Sequence, residues 1–268
     1  MGARALPEVL LNAPPSGASR PPLSWAELTS RELRALFVTD PACVGLLPVG
    51  ATEQHGPHLP VGTDTLIATA LSRAAASGGG AVVLPSLPVG ASWWHGTEFG
   101  GTLALAGERV AELAADCVRW AAHSGLRRLL FVNGHVGNTA PLWLACDRLR
   151  FERPDLQVGV LEWWHLSESI AAAVTEDAQD WHAHRAETAV MLAIAPELVD
   201  LASAADADDQ DRTAGLVFRY GAAAVTRNGV TGRPSEATAR LGESLWAEVV
   251  AAARDIVARA RVEQPPLR

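Results

Sequence analysis

The sequence predicts an α/β fold on a mostly parallel central sheet. Short apolar runs typical of buried strands alternate along the chain with longer segments whose apolar residues recur at helical spacing. Polar loops follow several of these strands, and parallel sheets form their functional sites beyond such strand ends. The 268 residues, 49% of them hydrophobic, can build a full core and contain no repeat or Gly/Ser linker. We therefore expect one domain at 23–268, preceded by a flexible arm at 1–22.

Each element has its own local signal. Capping-box patterns beginning at Ser24 and Thr29 predict two short helices. Compact apolar runs predict strands at Val44–Val49, Ala81–Leu84, Leu129–Val132, Gln157–Leu161 and, more briefly, Ala222–Thr226. Apolar spacing and stop signals predict helices at Thr65–Ala76, Gly107–Ser124, Thr139–Phe151, His182–Ala195 and about Glu236–Val262. The acidic stretch at 202–212 is expected to be flexible.

The composition narrows the class of protein. A net charge of −8 without a basic stripe argues against a nucleic-acid partner. No apolar run is long enough to cross a bilayer, and the N-terminus lacks a signal-peptide pattern, so we expect a cytoplasmic protein without membrane contact. Cys43, Cys117 and Cys146 are far apart in apolar contexts, which predicts buried thiols rather than disulfides or a zinc knuckle.

The loop at 50–64, GATEQHGPHLPVGTD, carries the clearest functional signal. Its glycines and prolines are typical of a loop held in one shape. Glu53 and His55 lie two residues apart, so on an extended segment their side chains leave the same face. Asp64 lies where the next helix begins, a position that favours a carboxylate. Each has an ordinary alternative role, as a solvated acid, a loop histidine and a helix cap. Together, in so stiff a loop, they predict ligands of a divalent metal.

Two later segments add candidate ligands. His135 projects from the tight turn NGHVGN directly after a strand, where a surface histidine is the alternative. Glu187 follows His182 by five residues, so the two share a face only if His182 precedes the helix. Glu187 is either a solvated helix acid or a metal ligand. We favour the ligand, because the other candidates provide only four ligand side chains, and a second ion needs a fifth.

These residues predict metal-assisted hydrolysis. One ion would take Glu53, Asp64 and His135, and a second would take His55, Asp64 and Glu187, with Asp64 bridging. Two such ions lower the pKa of a shared water and polarise a carbonyl oxygen. An unligated His182 would carry the proton to a leaving nitrogen. His182 and Glu187 are therefore the predicted catalytic residues, with Glu187 also a ligand.

These motifs resemble the creatininase family of metal-dependent amidohydrolases. The resemblance runs from about Val44 to Glu243 through GATEQHGPHLPVGTD, ASWWHGTEFGGT, NGHVGN, HAHRAET and NGVTGRPSEATARLGE. It implies a three-layer α/β/α fold, hydrolysis of an amide, cyclic amide, formamide or short-peptide bond, and two divalent ions (Zn, Mn or Fe). It also implies a homo-oligomer, with a hexamer favoured. Glu53, His55, Asp64 and His135 match the family's ligands, and His182 matches its catalytic histidine.

The departures from the family pattern bear on the substrate. Creatinine hydrolases carry a glutamate ligand at the position of Gly137, so the resemblance implies that here the second ion depends on Glu187. Creatinine is accordingly disfavoured as the substrate. The C-terminal third is similar to the peptidase that trims the mycofactocin precursor, and deformylases of pyrimidine intermediates are also relatives.

A second set of residues is predicted to contact the substrate. Tryptophans crowd the site loops, and aromatic walls suit a planar or apolar substrate, although about half of them are equally suited to the core. Arg185 is a candidate for gripping a carboxylate, and His184 stands as an extra ligand, an acid/base or neither. The predicted substrate-binding residues are Ser92, His95, Val136, Trp164, Trp181, His184 and Arg185.

Two other functions compete with this one. A two-metal phosphoesterase would use similar ligands, but it needs cationic clamps, and the motif loops offer only Arg185 and the distant Arg233. A metal-binding scaffold descended from a hydrolase is the stronger alternative, because Val136, Gly101 and His184 depart from the family pattern. Retention of His182 beside a complete ligand set counts against it, since a purely structural site needs no general base.

Overall fold

The computed structural model describes residues 22–267, so apart from Pro22 the predicted arm at 1–22 lies outside the described residues. Five strands form one sheet in the order β1-β3-β2-β4-β5, and all its strand pairs are parallel. The strands are β1 Leu23–Ser24, β2 Val44–Val49, β3 Ala81–Val83, β4 Arg128–Asn133 and β5 Gln157–Glu162. The predicted parallel α/β sheet is confirmed.

Helices connect the strands and cover both faces of the sheet. They are α1 Ser30–Thr39, α2 Thr63–Ala76, α3 Gly107–His123, α4 Thr139–Glu152, α5 Glu168–Val174, α6 Arg185–Ile194, α7 Ala222–Val225 and α8 Ala239–Val262. Short 3₁₀ turns occur at Trp25–Glu27, Trp93–His95, Val136–Asn138, Trp163–His165, Pro196–Leu198, Leu201–Ser203 and Pro234–Glu236. Within residues 22–267, no helix combines the length and hydropathy needed to cross a bilayer.

Alternation along the strands divides the core into two halves. Successive strand side chains point to opposite faces, so Leu46 and Val132 pack with α2, α5, α6 and α8. Leu47 and Phe131 point the other way and pack with α1, α3 and α4. The sheet is thus the middle of a three-layer α/β/α sandwich, as predicted.

The register places the site loops side by side. Val49 pairs with Asn133, and Asn133 pairs with Glu162, so β2, β4 and β5 end level with one another. The chain therefore leaves the sheet three times at one edge, at positions 50, 134 and 163. Because parallel strands end at a common edge, residues far apart in sequence meet there.

Two sequence predictions need correction, one at Ser24 and one at Ala222–Thr226. Thr29 and Glu32 form the expected capping box, but the Ser24 side chain makes no cap hydrogen bond. Ser24 is instead the end of β1 and pairs with Val83, because the segment extends along the sheet edge before turning. The predicted strand at Ala222–Thr226 is wrong: its alanine-rich run forms the short helix α7, because alanine favours helix and is depleted in strands.

Two helix boundaries also shift. The helix predicted from His182 begins at Arg185, because Ala183 adopts a positive φ of 50° that interrupts helical geometry. The C-terminal helix begins at Ala239 rather than Glu236, where the Thr238 side chain accepts a hydrogen bond from the Leu241 amide.

Cysteine placement agrees with the sequence prediction. Cys43 and Cys146 are buried, Cys117 is half-buried, and all three are free thiols. Burial raises the pKa of the Cys43 and Cys146 thiols to about 12. These thiols therefore act as small core residues.

Candidate metal centre

Among residues 22–267, three groups of buried side chains at the common strand edge could hold a metal ion, and one of them consists of Glu53, His55 and His182. The other two share Asp64. Glu53, Asp64 and His135 form one group, and His55, Asp64 and Glu187 form the other, with the ligand atoms of each within 4.8 Å of one another. His135 Nδ1 lies 3.2 Å from Glu53 Oε1 and 3.3 Å from Asp64 Oδ2. His55 Nε2 lies 3.2 Å from Asp64 Oδ1 and 3.8 Å from Glu187 Oε1. Asp64 is thus shared between the groups, with one oxygen toward each histidine.

Backbone carbonyls orient both histidines of these groups. A carbonyl can only accept, so His55 Nδ1–H donates to the Glu53 carbonyl at 3.1 Å and leaves Nε2 facing Asp64. By the same argument His135 Nε2–H donates to the Ala91 carbonyl at 3.3 Å, and Nδ1 faces the carboxylates. A metal-binding histidine usually has its second nitrogen held in this way.

The charges of the two groups depend strongly on one another. Burial alone would raise the pKa of Glu53, but His135 and His95 outweigh it and hold that pKa well below its ordinary value. Burial alone would lower the pKa of His55 and of His135, yet the surrounding carboxylates raise both well above the ordinary value. Without an ion, protons on these histidines supply the positive charge that the carboxylates require. A bound cation would displace them.

The side chains fit a pair of divalent cations. The combination of carboxylate oxygens and imidazole nitrogens suits Zn, Mn or Fe. Glu53 Oε2 is buried and has no hydrogen-bond partner among residues 22–267, although a buried carboxylate oxygen normally has one. A cation bound there would satisfy this oxygen.

His182 lies beside both groups, before the helix that carries Glu187. The Thr231 amide donates to the His182 carbonyl at 3.0 Å, which fixes the backbone outside α6. His182 Nε2–H donates to the Gln54 carbonyl at 2.8 Å, so Nδ1 is unprotonated and lies 3.8 Å from Glu53 Oε1. Burial, reinforced by repulsion from His55, lowers the pKa of His182 to about 3. The imidazole is therefore neutral.

Glu187 lies in the first turn of α6, and its two oxygens have different surroundings. Oε2 accepts a hydrogen bond from the Ala183 amide at 2.7 Å and lies 3.4 Å from His184 Nδ1. Oε1 faces His55. Burial alone would raise the pKa of Glu187, but His184 and His55 lower it well below the ordinary value, so the carboxylate is ionised. The positive φ of Ala183 is the backbone strain that aims its amide at this carboxylate.

A cavity of about 1110 Å³ opens onto the two ligand groups. Trp94, Trp164 and Trp181 form part of its wall, and the rings of Trp164 and Trp181 meet edge to face with centroids 5.6 Å apart. Trp163, by contrast, is fully buried in the core. The sequence therefore separated wall tryptophans from core tryptophans only in part.

The predicted substrate-binding residues fall into two sets. His95, Val136, Trp164 and Trp181 line the cavity. Ser92 is buried behind His135, with its Oγ 3.5 Å from His135 Nε2. His184 is fully buried and donates through Nε2 to the Val174 carbonyl at 2.8 Å, and Arg185 pairs with Glu176 away from the cavity. His95 also contacts a predicted ligand, with its Nε2 3.0 Å from Glu53 Oε1.

The structure adds cavity residues that sequence reasoning missed. Residues 210–220 cross the cavity mouth and contribute Leu216, Phe218, Arg219 and Tyr220 to its wall. Asp180 also lines it, and burial raises the pKa of its carboxyl group. The apolar residues of 216–220 are mostly exposed in the structure, and exposed apolar patches often mark binding surfaces.

The sequence profile of the creatininase family, described as creatinine amidohydrolase, matches residues 26–257. The chain belongs to the creatininase family. This confirms the resemblance found in the motifs and makes the protein a hydrolase of carbon–nitrogen bonds, the class of reaction in its relatives' names.

Two relatives show how the chain is placed within the creatininase family. It is 39% identical over 216 residues to a mycofactocin precursor peptide peptidase of Mycobacterium ulcerans, covering 76% of this chain and 80% of the relative. It is 35% identical over 194 residues to a creatinine amidohydrolase of Pseudomonas putida, covering 67% of this chain and 72% of the relative. The match to the peptidase is longer and closer than the match to the amidohydrolase.

Solved creatininase structures have the same fold. A creatininase in an Mn form superimposes with a TM-score of 0.79 at 30% identity, covering 90% of this chain and all (100%) of that one. A mutant creatininase of Zn–Zn type gives a TM-score of 0.79 at 30% identity, covering 90% and 98% of the two chains. Metal binding is thus a property of structures closely similar to this one.

Local packing at Gly137 explains one departure from the family pattern. A Cβ atom at this position would lie 2.4 Å from both the Ala91 carbonyl oxygen and His135 Nε2. A side chain there would require the turn to move, so this loop does not accommodate a glutamate ligand in its present form.

Proposed function

We propose that this protein is a metal-dependent amidohydrolase that cleaves a C–N amide bond of a short peptide and uses two divalent ions. Glu53, Asp64 and His135 would hold one ion, and His55, Asp64 and Glu187 would hold the other. The carrying observation is the sharing of Asp64 between two complete ligand groups. When bound, the ions would supply an activated water and polarise the amide carbonyl.

His182 is the proposed proton carrier. Its unprotonated Nδ1 lies 3.8 Å from Glu53 Oε1, and its ring lines the cavity beside both ligand groups. A neutral imidazole in this position can accept a proton and return it to the leaving nitrogen of the amide. The Gln54 carbonyl holds the other nitrogen and so fixes the ring for this transfer.

The cavity favours a short peptide over a small ring such as creatinine. Its volume of about 1110 Å³ is at the upper end of ligand pockets, far more than a single small ring requires. The aromatic and aliphatic wall suits apolar side chains of a peptide. The longer match to relatives named as peptidases of the mycofactocin precursor points in the same direction. Cyclic amides and formamides are the competing substrates.

Metal analysis combined with a substrate panel tests this proposal. We expect about two ions per chain in the wild type and about one in Glu187→Ala, while Glu243→Ala, which changes an exposed glutamate of α8, should keep both. The loaded wild type should cleave short peptides faster than creatinine or simple formamides. Full metal content without turnover of any amide would favour the metal-binding scaffold, and one ion in the wild type would refute the dinuclear assignment.

We also propose a homo-oligomer, with a hexamer favoured. Trp120 on α3 and Trp143 and Phe151 on α4 expose 74%, 51% and 88% of their surface, more than isolated surface residues usually do. Light scattering at several protein concentrations checks the assembly. A monomer at every concentration would contradict it.

The proposed location is the cytoplasm. The three cysteines are free, which suits a reducing compartment. Cell fractionation against a cytoplasmic marker tests this location.

A further inference from the structure

Gln54 lies between two predicted ligands, yet its side chain binds neither. It is buried, and its amide nitrogen Nε2 lies 3.0 Å from His95 Nδ1, 3.1 Å from the Gly229 carbonyl and 3.1 Å from His182 Nε2. Its carbonyl oxygen Oε1 accepts a hydrogen bond from the Gly56 amide at 3.0 Å. The amide orientation is fixed, because a reversed amide would set two donors against each other at Gly56.

Three potential partners compete for the two amide hydrogens of Gln54. The Gly229 carbonyl can only accept, so it takes one. His182 Nε2 carries its own hydrogen, which it donates to the Gln54 backbone carbonyl at 2.8 Å, and it therefore cannot accept another. The second amide hydrogen must go to His95 Nδ1.

This bond determines which ring nitrogen of His95 carries the hydrogen. Since Nδ1 accepts from Gln54, the ring hydrogen is on Nε2, which lies 3.0 Å from Glu53 Oε1 and donates to it. Oε1 of Glu53 is thereby occupied by His95, whereas Oε2 has no hydrogen-bond partner in the described chain. The two oxygens of one carboxylate are thus made unequal.

We propose that Gln54 is a positioning residue that fixes the tautomer of His95 and, through it, the rotation of the Glu53 carboxylate. The inference deepens the proposed function, because it assigns the orientation of a predicted ligand. The first part of the proposal, the tautomer of His95, can be tested on the protein without metal or substrate.

The hydrogen bond from Gln54 to the Gly229 carbonyl connects this arrangement to a segment that is distant in sequence. A Cβ atom at Gly229 would lie 2.0 Å from Gln54 Oε1, and the residue has a φ of 77°, so only glycine fits against this amide. The neighbouring Thr231 amide is bonded to the His182 carbonyl. Gln54 therefore joins three segments that are far apart in sequence, around positions 54, 95 and 229.

Gln54→Glu is the sharpest test, because it preserves shape and removes both amide hydrogens. A glutamate carboxylate has nothing to donate to His95 Nδ1, and it repels the Gly229 carbonyl. We expect nitrogen-15 NMR of metal-free wild type to show His95 protonated at Nε2 alone, with the signal assigned through His95→Gln. In Gln54→Glu both ring nitrogens should carry a proton, because Nδ1 and Nε2 then each face a carboxylate. Mn²⁺ affinity, measured by titration without substrate, should fall about 10–100-fold.

Gln210→Glu provides the matched control. This residue also lines the cavity, and its amide donates to the Ala207 carbonyl, so the substitution makes the same change of charge away from Glu53. It should leave the His95 tautomer and Mn²⁺ affinity unchanged. His95 protonated at Nδ1 in the wild type would overturn the proposal even if Gln54→Glu fails to fold. Equal Mn²⁺ affinity in Gln54→Glu and wild type would overturn the link to Glu53.

The two proposals fail separately. A proton gained at His95 Nδ1 in Gln54→Glu, together with weakened Mn²⁺ binding, in a protein that hydrolyses no amide would uphold the role of Gln54 and reject the proposed reaction. Peptide hydrolysis by a wild type whose His95 has the other tautomer would do the reverse.

Discussion

The inner and outer parts of the cavity are built by different means. The inner part consists of Glu53, His55, Asp64, His135 and Glu187, all of them buried, in loops that follow β2 and β4 or in the first turn of a helix. The outer wall, residues 210–220, is largely exposed and belongs to no strand or α-helix. Neighbouring strands and helices fix the position of the inner part, whereas loop contacts fix the outer wall. The chemistry should therefore depend on the inner part, and substrate preference on the outer wall.

Asp64→Ala should have the largest effect, because Asp64 is the only residue common to both ligand groups. We expect loss of both ions and a fall in turnover of about 10³-fold or more, ~4 kcal/mol. Elemental analysis and peptide hydrolysis measure the two effects. Asp255→Ala, an exposed change on α8, is the control and should behave as wild type. Full metal content in Asp64→Ala would show that the inner part is not one unit.

His182→Ala should separate catalysis from metal binding within the inner part. His182 forms a third possible group with Glu53 and His55 but stands outside the two groups that share Asp64. Because those two groups are the proposed ion sites, metal content should stay at the wild-type level. Turnover should fall roughly 10²–10⁴-fold through loss of the proton carrier. Unchanged turnover would remove His182 from the mechanism, and loss of an ion would make it a ligand.

The difference between the two parts also explains what could be predicted from sequence. Glu53 and His55 could be predicted as ligands because they lie two residues apart in a stiff loop after an apolar strand. His135 was readable because a strand ends beside it. The meeting of these loops then followed from the common edge of a parallel sheet. Glu187 was harder, since its position depends on the positive φ of Ala183, which no local pattern reveals.

The outer wall could not be predicted for a physical reason. Its path is set by contacts between separate parts of the chain, such as those of Arg212 with the Val225 carbonyl and of Asp208 with Arg227, and a sequence without periodicity does not reveal such contacts. Gln54 was missed although it lies inside the motif, because its partners His95 and Gly229 are distant in sequence.

Removal of metal should destabilise the inner part more than the outer wall. A ligand at 100 times its Kd contributes ~2.7 kcal/mol, which for a chain of this size is about 5–10 °C in Tm. We expect a chelator to lower Tm by this amount in the wild type and to leave Tm of Asp64→Ala unchanged. Hydrogen exchange should increase in the loop at 50–64 and stay constant at 210–220. An equal increase in both would mean that the two parts form one cooperative unit.

Phe218→Ala should have the smallest effect and should fall on substrate binding alone. Phe218 lines the cavity, whereas Val217 beside it is 89% exposed and does not, so Val217→Ala is a matched control on the same loop. Loss of an apolar contact worth ~1–1.5 kcal/mol should raise KM for a peptide about 5–10-fold with kcat unchanged. A small formamide, too short to reach the wall, should show no change in either variant. If Phe218→Ala instead lowered kcat for both substrates, the outer wall would act on the chemistry, and the division between the two parts would be wrong.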